Sequence, residues 1–161
     1  MEKRLRIIVC GVGFGQFYIR AIDKIKCKYK LVGILSRGSE WSKQWTKKYG
    51  VILYTDIDEI TKENVDVVCV VIKSTVVNGE GSTIVHSLLE KGINVIQEHP
   101  IDIDDYIMCI KIAQKNCCMY RLNTFYPQLS NVKQFIFLAG KLREKNDVQY
   151  INAECSVHVL F

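Results

Sequence analysis

The chain has 161 residues, 48% of them hydrophobic and 24% charged, a balance that excludes a disordered chain and leaves room for one domain, or one domain and part of another. Its net charge of +5 is modest and scattered; it suits a phosphorylated ligand, but no basic run or aromatic-interleaved patch points to nucleic acid. No apolar run approaches membrane-spanning length, so no membrane association is expected.

The organising stretch comes first. Ile7-Ile8-Val9-Cys10-Gly11-Val12-Gly13-Phe14-Gly15-Gln16-Phe17-Tyr18 passes from an apolar strand through glycines into a helix whose apolar positions are Phe14, Phe17, Tyr18, Ala21, Ile22 and Ile25. Such a turn aims bare N–H groups and a positive helix end at one point, which suits a pyrophosphate. The dinucleotide pattern wants Gly or Ala where Gln16 stands, and Gly15, one residue earlier, is the candidate for close packing.

A second buried strand is expected over residues 30–35, then the turn Ser36-Arg37-Gly38-Ser39 and a helix capped by Ser39 with Trp41, Trp45 and Tyr49 as its apolar positions. A short strand at 51–54 precedes a polar segment to Asn64. Residues 65–72 form the densest β-branched run in the chain, the mark of a strand buried on both faces. A loop at 73–81, a helix at 82–91, a strand at 94–97, a helix at 104–115 and a strand at 119–123 follow. This alternation gives an α/β fold, a doubly wound parallel sheet of Rossmann type, with the glycine turn at the switch point. The pattern then changes. Residues 130–142 read as a helix, and 148–161 alternate Ile151, Ala153, Cys155, Val157, Val159 and Phe161 against polar partners. That is a strand with one wet face, so we expect an NADP-binding domain over 1–121 and the start of a truncated α/β substrate and dimerisation domain over 122–161.

Met1 to Arg6 runs straight into the first strand, with no signal peptide pattern. Of seven cysteines, Cys10 and Cys69 sit in apolar runs and Cys117-Cys118 are adjacent, a spacing that suits no common zinc site. They read as reduced core thiols of a cytoplasmic protein, and no metal is expected.

Three groups carry chemistry. After the second strand, Ser36, Arg37 and Ser39 stand where an acidic residue would select an unphosphorylated ribose; a guanidinium and two hydroxyls suit a 2′-phosphate. Gly11, Val12, Gly13, Phe14 and Gly15 are the pyrophosphate cradle. Lys73, Ser74 and Glu98 leave strands where the nicotinamide half would pass. His99 and Tyr126 lie on loops after the fifth and sixth strands; histidine exchanges protons near neutral pH and tyrosine has a hydroxyl proton to give, so both are candidate acids. Each also has a plainer reading, as a solvated arginine turn, a surface histidine and a packing tyrosine.

Glu98-His99-Pro100 after a Gly-Ile-Asn-Val strand resembles the Glu-Lys-Pro motif of the glucose–fructose oxidoreductase and inositol dehydrogenase (Gfo/Idh/MocA) superfamily, with histidine replacing lysine. More narrowly, Phe14-Gly-Gln-Phe-Tyr18, Gly33-Ile-Leu-Ser-Arg-Gly-Ser39, Gln97-Glu-His-Pro100 and Asn123-Thr-Phe-Tyr-Pro127 resemble thiazolinyl imide reductases of siderophore biosynthesis. The resemblance extends to Leu138. It implies NADPH-dependent reduction of a thiazoline C=N to a thiazolidine, on an intermediate carried by a nonribosomal peptide synthetase carrier protein, by a homo-oligomer. It also implies that a chain lacking most of the second domain turns over little substrate alone. Two other readings stand beside it: a sugar or polyol dehydrogenase of the wider superfamily, against which the histidine counts, and a non-catalytic nucleotide-binding module or decayed gene product.

Overall fold

The structure is a computed structural model that describes residues 3–72, 79–124, 126–145, 147, 149 and 150. The expected terminal strand over 148–161, apart from Gln149 and Tyr150, which form no strand, and the candidate residues Lys73 and Ser74 lie outside the described residues.

Six parallel strands form one sheet in the order β3-β2-β1-β4-β5-β6: β1 Leu5–Cys10, β2 Tyr29–Leu35, β3 Ile52–Tyr54, β4 Val67–Val70, β5 Asn94–Glu98 and β6 Tyr120–Asn123. The chain winds outward from β1 to β3, returns, and winds the other way from β4 to β6. The strand order therefore reverses beside β1, and in a sheet of this kind the ligand crevice lies at the carboxyl edge beside such a switch point. Val9 sits in register with Ile34 of β2 on one side and Cys69 of β4 on the other.

The continuous apolar runs are explained by two cores, one on each face. Ile8, Cys10, Val68, Val70 and Val95 share one cluster with Val85, Leu88 and Leu89 of α3 (Glu80–Glu90) and with Cys109 and Ala113 of α4 (Ile103–Lys115). Ile7, Val9, Ile34 and Cys69 share the other with Ile19 and Ile22 of α1 (Gly15–Lys24) and Trp45 of α2 (Glu40–Tyr49). Because strand side chains alternate, every position of β1 from Ile7 onward is buried on one side or the other. Each fully buried aliphatic side chain contributes roughly 1.5–3 kcal/mol.

The face of α1 differs from its sequence reading. Phe14 and Phe17 are more than half exposed, and Ile25 is exposed as well, while Gly15, Ile19 and Ile22 turn inward. The cause is Gly15: a Cβ there would stand 3.0 Å from Val9 Cγ1, so the bare Cα lets the helix settle against β1 and rotates the buried stripe onto the Gly15, Ile19, Ile22 spacing. In α2 the expected cap is present, with the Ser39 hydroxyl accepting from the Ser42 N–H at 3.3 Å. Trp45 is buried and stacked on Tyr49, with centroids 5.6 Å apart, whereas Trp41 is exposed. Helix α3 starts at Glu80, so Glu80 and Gly81 are helical rather than part of the preceding loop.

At the amino edge of the sheet, Asp66 accepts from the Arg6 Nε at 3.0 Å, from its Nη2 at 2.8 Å and from its backbone N–H at 2.7 Å. The same guanidinium reaches the carbonyls of Glu63 and Lys62. The thiols depart from the sequence reading: Cys10, Cys69 and Cys109 are buried, but Cys27 and Cys117 are exposed, since they lie in turns beyond the ends of α1 and α4. All six described cysteines are free thiols.

The chain divides into two compact units, 1–123 and 124–161. The second contains a 3-10 turn at Tyr126–Gln128 and α5 at Ser130–Lys145, which exposes Phe135, Ile136, Phe137, Leu138 and Leu142. No helix among the described residues is long and apolar enough to cross a membrane.

Candidate functional site

The cleft at the carboxyl edge begins at the glycine turn. Gly11 has φ +87°, and a Cβ there would meet the Val71 carbonyl oxygen at 3.0 Å, so the turn admits only glycine without strain. Its N–H donates to the Leu35 carbonyl at 2.9 Å, extending the ladder, and so is committed. Gly11 therefore shapes the cradle rather than donating to it. Among the described residues the N–H groups of Val12, Gly13 and Phe14 take no backbone acceptor, and no described atom lies close to the Gly13 Cα. Phe14 caps α1 with no side-chain bond to its first turn, which leaves the positive helix end bare. Gln16, the departure from the dinucleotide pattern, turns its amide onto the Gly13 carbonyl at 3.0 Å and braces the turn from outside. Donors without a backbone acceptor among the described residues, a helix end with no side-chain cap and a glycine face fit a dinucleotide pyrophosphate.

From this turn a cleft of about 700 Å³ runs across the end of β2, bounded by Gly13, Ser36, Arg37, Ser39, Ile72 and Glu80 among others. The Ser36 hydroxyl accepts from the Gly38 N–H at 3.3 Å. The Ser39 hydroxyl is engaged with Ser42, accepting from its N–H and bonding its hydroxyl at 3.1 Å, so this serine works first as a helix cap. Arg37 is exposed, and its Nη2 stands 2.9 Å from Glu80 Oε2. A carboxylate thus does face the arginine, from a position 43 residues away in the chain; the absence of an acid between Ser36 and Ser39 gave no sign of it. Asp56, also in the cleft wall, is occupied by a capping box on the 3-10 turn Ile57–Glu59. Burial, and after it the Glu80 charge, pushes the Cys10 thiol at the cleft floor up to about 12.

The far end is built differently. Glu98 ends β5 opposite Asn123 of β6. Its Oε2 accepts from the Tyr18 hydroxyl of α1 and from Asn123 Nδ2 at 3.0 Å, and Asn123 also donates to the Tyr18 oxygen. Burial first, and the bond to Glu98 second, hold the Tyr18 phenol well above its ordinary range, so it stays a proton donor. The other carboxylate oxygen, Oε1, lies 3.6 Å from His99 Nε2. The His99–Pro100 peptide bond is cis. On the opposite face of β5, Gln97 is fully buried and accepts from the Tyr120 hydroxyl at 2.7 Å. Sequence periodicity marks Tyr18 as an apolar helix position and says nothing of its hydroxyl, and Asn123 stands in a motif that gives it no role; a tyrosine on a helix face that packs on strand ends is the available signal. Tyr126 begins the 3-10 turn of the second unit and is half exposed. Among the described residues no group of three or more His, Cys, Asp or Glu side chains is placed to hold a metal.

The profile of the Gfo/Idh/MocA family, described as an oxidoreductase family with an NAD-binding Rossmann fold, matches residues 5–124. This chain belongs to the Gfo/Idh/MocA family. Solved structures similar to this family member include GenD2 from gentamicin A biosynthesis in complex with NAD, at 17% identity and TM-score 0.76 over 89% of this chain and 41% of that one. Scyllo-inositol dehydrogenase from Lactobacillus casei with NAD(H) and scyllo-inositol aligns at 20% identity and TM-score 0.72, over 88% and 42%. A KijD10 variant, a 3-ketoreductase from Actinomadura kijaniata in complex with TDP-benzene and NADP, aligns at 17% and 0.71, over 86% and 44%. At these identities the likeness is one of fold. The chain spans about two-fifths of the length of the solved structures it matches. No curated protein matches it in sequence. The Gfo/Idh/MocA chain is thus an oxidoreductase-family protein with an NAD(P)-binding Rossmann fold, and the cradle and cleft lie where that fold takes its dinucleotide.

Proposed function

We propose that this chain is the cofactor-binding part of an NADPH-dependent reductase acting on a C=N bond, in the manner of the thiazolinyl imide reductases its motifs resemble. The observation that carries the reading is His99, set 3.6 Å from a Glu98 carboxylate that is itself held on its other oxygen. Reducing C=N to CH–NH takes a hydride at carbon and a proton at nitrogen. NADPH, when bound, supplies the hydride. The chain's part is to bind, orient and protonate. The N–H groups of Val12, Gly13 and Phe14 take the pyrophosphate across Gly11 and Gly15, Ser36 and Arg37 with Ser39 take the 2′-phosphate, and Lys73, Ser74 and Glu98 flank the nicotinamide half. His99, oriented by Glu98, gives the proton to nitrogen, and Tyr126 is the second candidate acid.

The rest of the proposal follows the resemblance: a thiazoline held on a carrier protein of a nonribosomal peptide synthetase, a cytoplasmic homo-oligomer, and a division into a cofactor domain over 1–121 and the beginning of a substrate domain from 122. A second reading, a sugar or polyol dehydrogenase, is favoured by the scyllo-inositol dehydrogenase and 3-ketoreductase among the similar structures. The histidine in place of the superfamily's lysine favours the first.

Turnover separates the two. In a protein carrying a complete second domain, NADPH and a carrier-bound thiazoline should give thiazolidine, whereas NAD+ or NADP+ with inositols or nucleotide sugars should give no reduced cofactor. His99→Ala should lower kcat by about 10²- to 10⁴-fold with NADPH affinity unchanged, the range of general acid catalysis. Polyol oxidation, or full kcat in the variant, overturns the reading.

A further inference from the structure

We propose that Glu80 is an internal counter-ion that holds Arg37 until a ligand binds and yields it to a 2′-phosphate, so that Glu80 sets how strongly the site discriminates between phosphorylated and unphosphorylated adenosine riboses. The inference rests on the proposed NADPH reading and names a specificity-determining residue within it.

Topology brings the pair together. β2 and β4 lie on either side of β1, so the loop after β2, carrying Arg37, and the helix after β4, beginning with Glu80, meet above the glycine turn. Both residues bound the cleft together with Gly13 and Ser36. Their contact is a single bond of 2.9 Å between side chains 85% and 49% exposed. Exposed pairs of this kind are weak, because water solvates both partners and little is gained by holding them together. A phosphate offers the planar guanidinium two oxygens and more charge, a stronger partner. The exchange leaves nothing buried and unpaired, since the Glu80 carboxylate is already half in water.

Among the described residues of the cleft wall, Glu80 is the carboxylate that makes no capping hydrogen bond, whereas Asp56 is occupied by its capping box. It faces the cleft floor closely enough for its charge to be felt at Cys10. A bound 2′-phosphate would therefore meet Arg37 and, beside it, a like charge. Discrimination becomes the difference between the two.

The test uses adenosine 2′,5′-bisphosphate and 5′-AMP, which occupy only the adenosine end, titrated calorimetrically into this chain. Glu80→Gln should tighten the bisphosphate by about three- to tenfold, the size of one screened unit charge at this separation, and leave 5′-AMP within error. The gain should shrink as salt rises. Arg37→Gln should abolish the preference for the bisphosphate and make Glu80→Gln silent in the double variant. If the wild-type chain prefers the bisphosphate and Arg37→Gln removes that preference, but Glu80→Gln changes nothing, the counter-ion proposal fails and the NADPH reading stands. If Glu80→Gln weakens 5′-AMP, Glu80 is a ribose ligand and the proposal fails differently. If the wild-type chain does not distinguish the probes, the 2′-phosphate reading falls and takes this proposal with it.

Discussion

Two arginine–carboxylate pairs stand at opposite edges of the same sheet, and they do opposite things. Arg6 and Asp66, at the amino edge, join by two side-chain bonds and one from the backbone, with about a quarter or less of each side chain exposed. Arg37 and Glu80, at the carboxyl edge, share one bond in the open. The chemical groups are the same. What differs is the number of additional bonds that fix each partner, and hence the cost of letting go. The first pair ties β1 to β4 before either enters the core; the second can exchange its anion. A sheet of this class keeps stability at one edge and chemistry at the other, and here one ion pair marks each.

The comparison breaks most visibly at Asp66. Asp66→Ala should cost on the order of 2–3 kcal/mol in urea unfolding, because it strips a charged hydrogen-bond acceptor from a guanidinium that lies partly inside. The Arg6 guanidinium lowers the Asp66 carboxyl from 3.8 to about 2. A depressed carboxyl stabilises the fold above its unfolded value and loses that contribution as pH falls through the folded one. Wild-type stability should therefore drop by up to about 2 kcal/mol between roughly pH 4 and pH 2. Asp66→Asn should flatten that window.

Tyr18→Phe comes next. It removes one of the two donors to Glu98 Oε2, and about 1–2 kcal/mol of stability should go with it. Binding of adenosine 2′,5′-bisphosphate should stay constant, because Tyr18 serves the far end of the site. A loss of adenosine-end affinity would show that the two ends are not independent. The smallest effect sharpens the contrast: Arg37→Gln should leave the unfolding midpoint where it is while removing the preference for the 2′-phosphate. A destabilised Arg37→Gln would mean that the exposed pair, too, belongs to the fold.

The legible parts of this molecule are those whose signal is local. The run at 65–72 announces a strand buried on both faces because within β4, Val67–Val70, alternating side chains on two covered faces leave no polar position, and Asp66 falls just before it. Ser39 announces a helix cap because the bond it makes is three residues away. Rossmann order followed from strands and helices taking turns. The buried face of α1 was misread because Gly15, with no side chain to count, decides how the helix lies, and the larger Phe14 and Phe17 were credited in its place. The Tyr18–Glu98–Asn123 cluster and the Arg37–Glu80 pair were invisible for another reason: each joins segments that only the sheet brings side by side, and no spacing along the chain encodes a contact between strand ends.

The distribution of thiols has a practical consequence. Cys10 lies against one core, Cys69 against the other, and Cys109 on the helix that covers the first, while Cys27 and Cys117 are open to solvent. Burial pushes the Cys10 and Cys69 thiols up to about 12, which keeps them unreactive as well as inaccessible. Among the described cysteines, a brief pulse of an alkylating reagent would mark Cys27 and Cys117 first in the folded protein, then the half-buried Cys118, and reach Cys10, Cys69 and Cys109 only where a layer opens. The protein thus carries its own reporters, one set for each side of the sheet, and the order in which they become labelled would reveal which side lets go first.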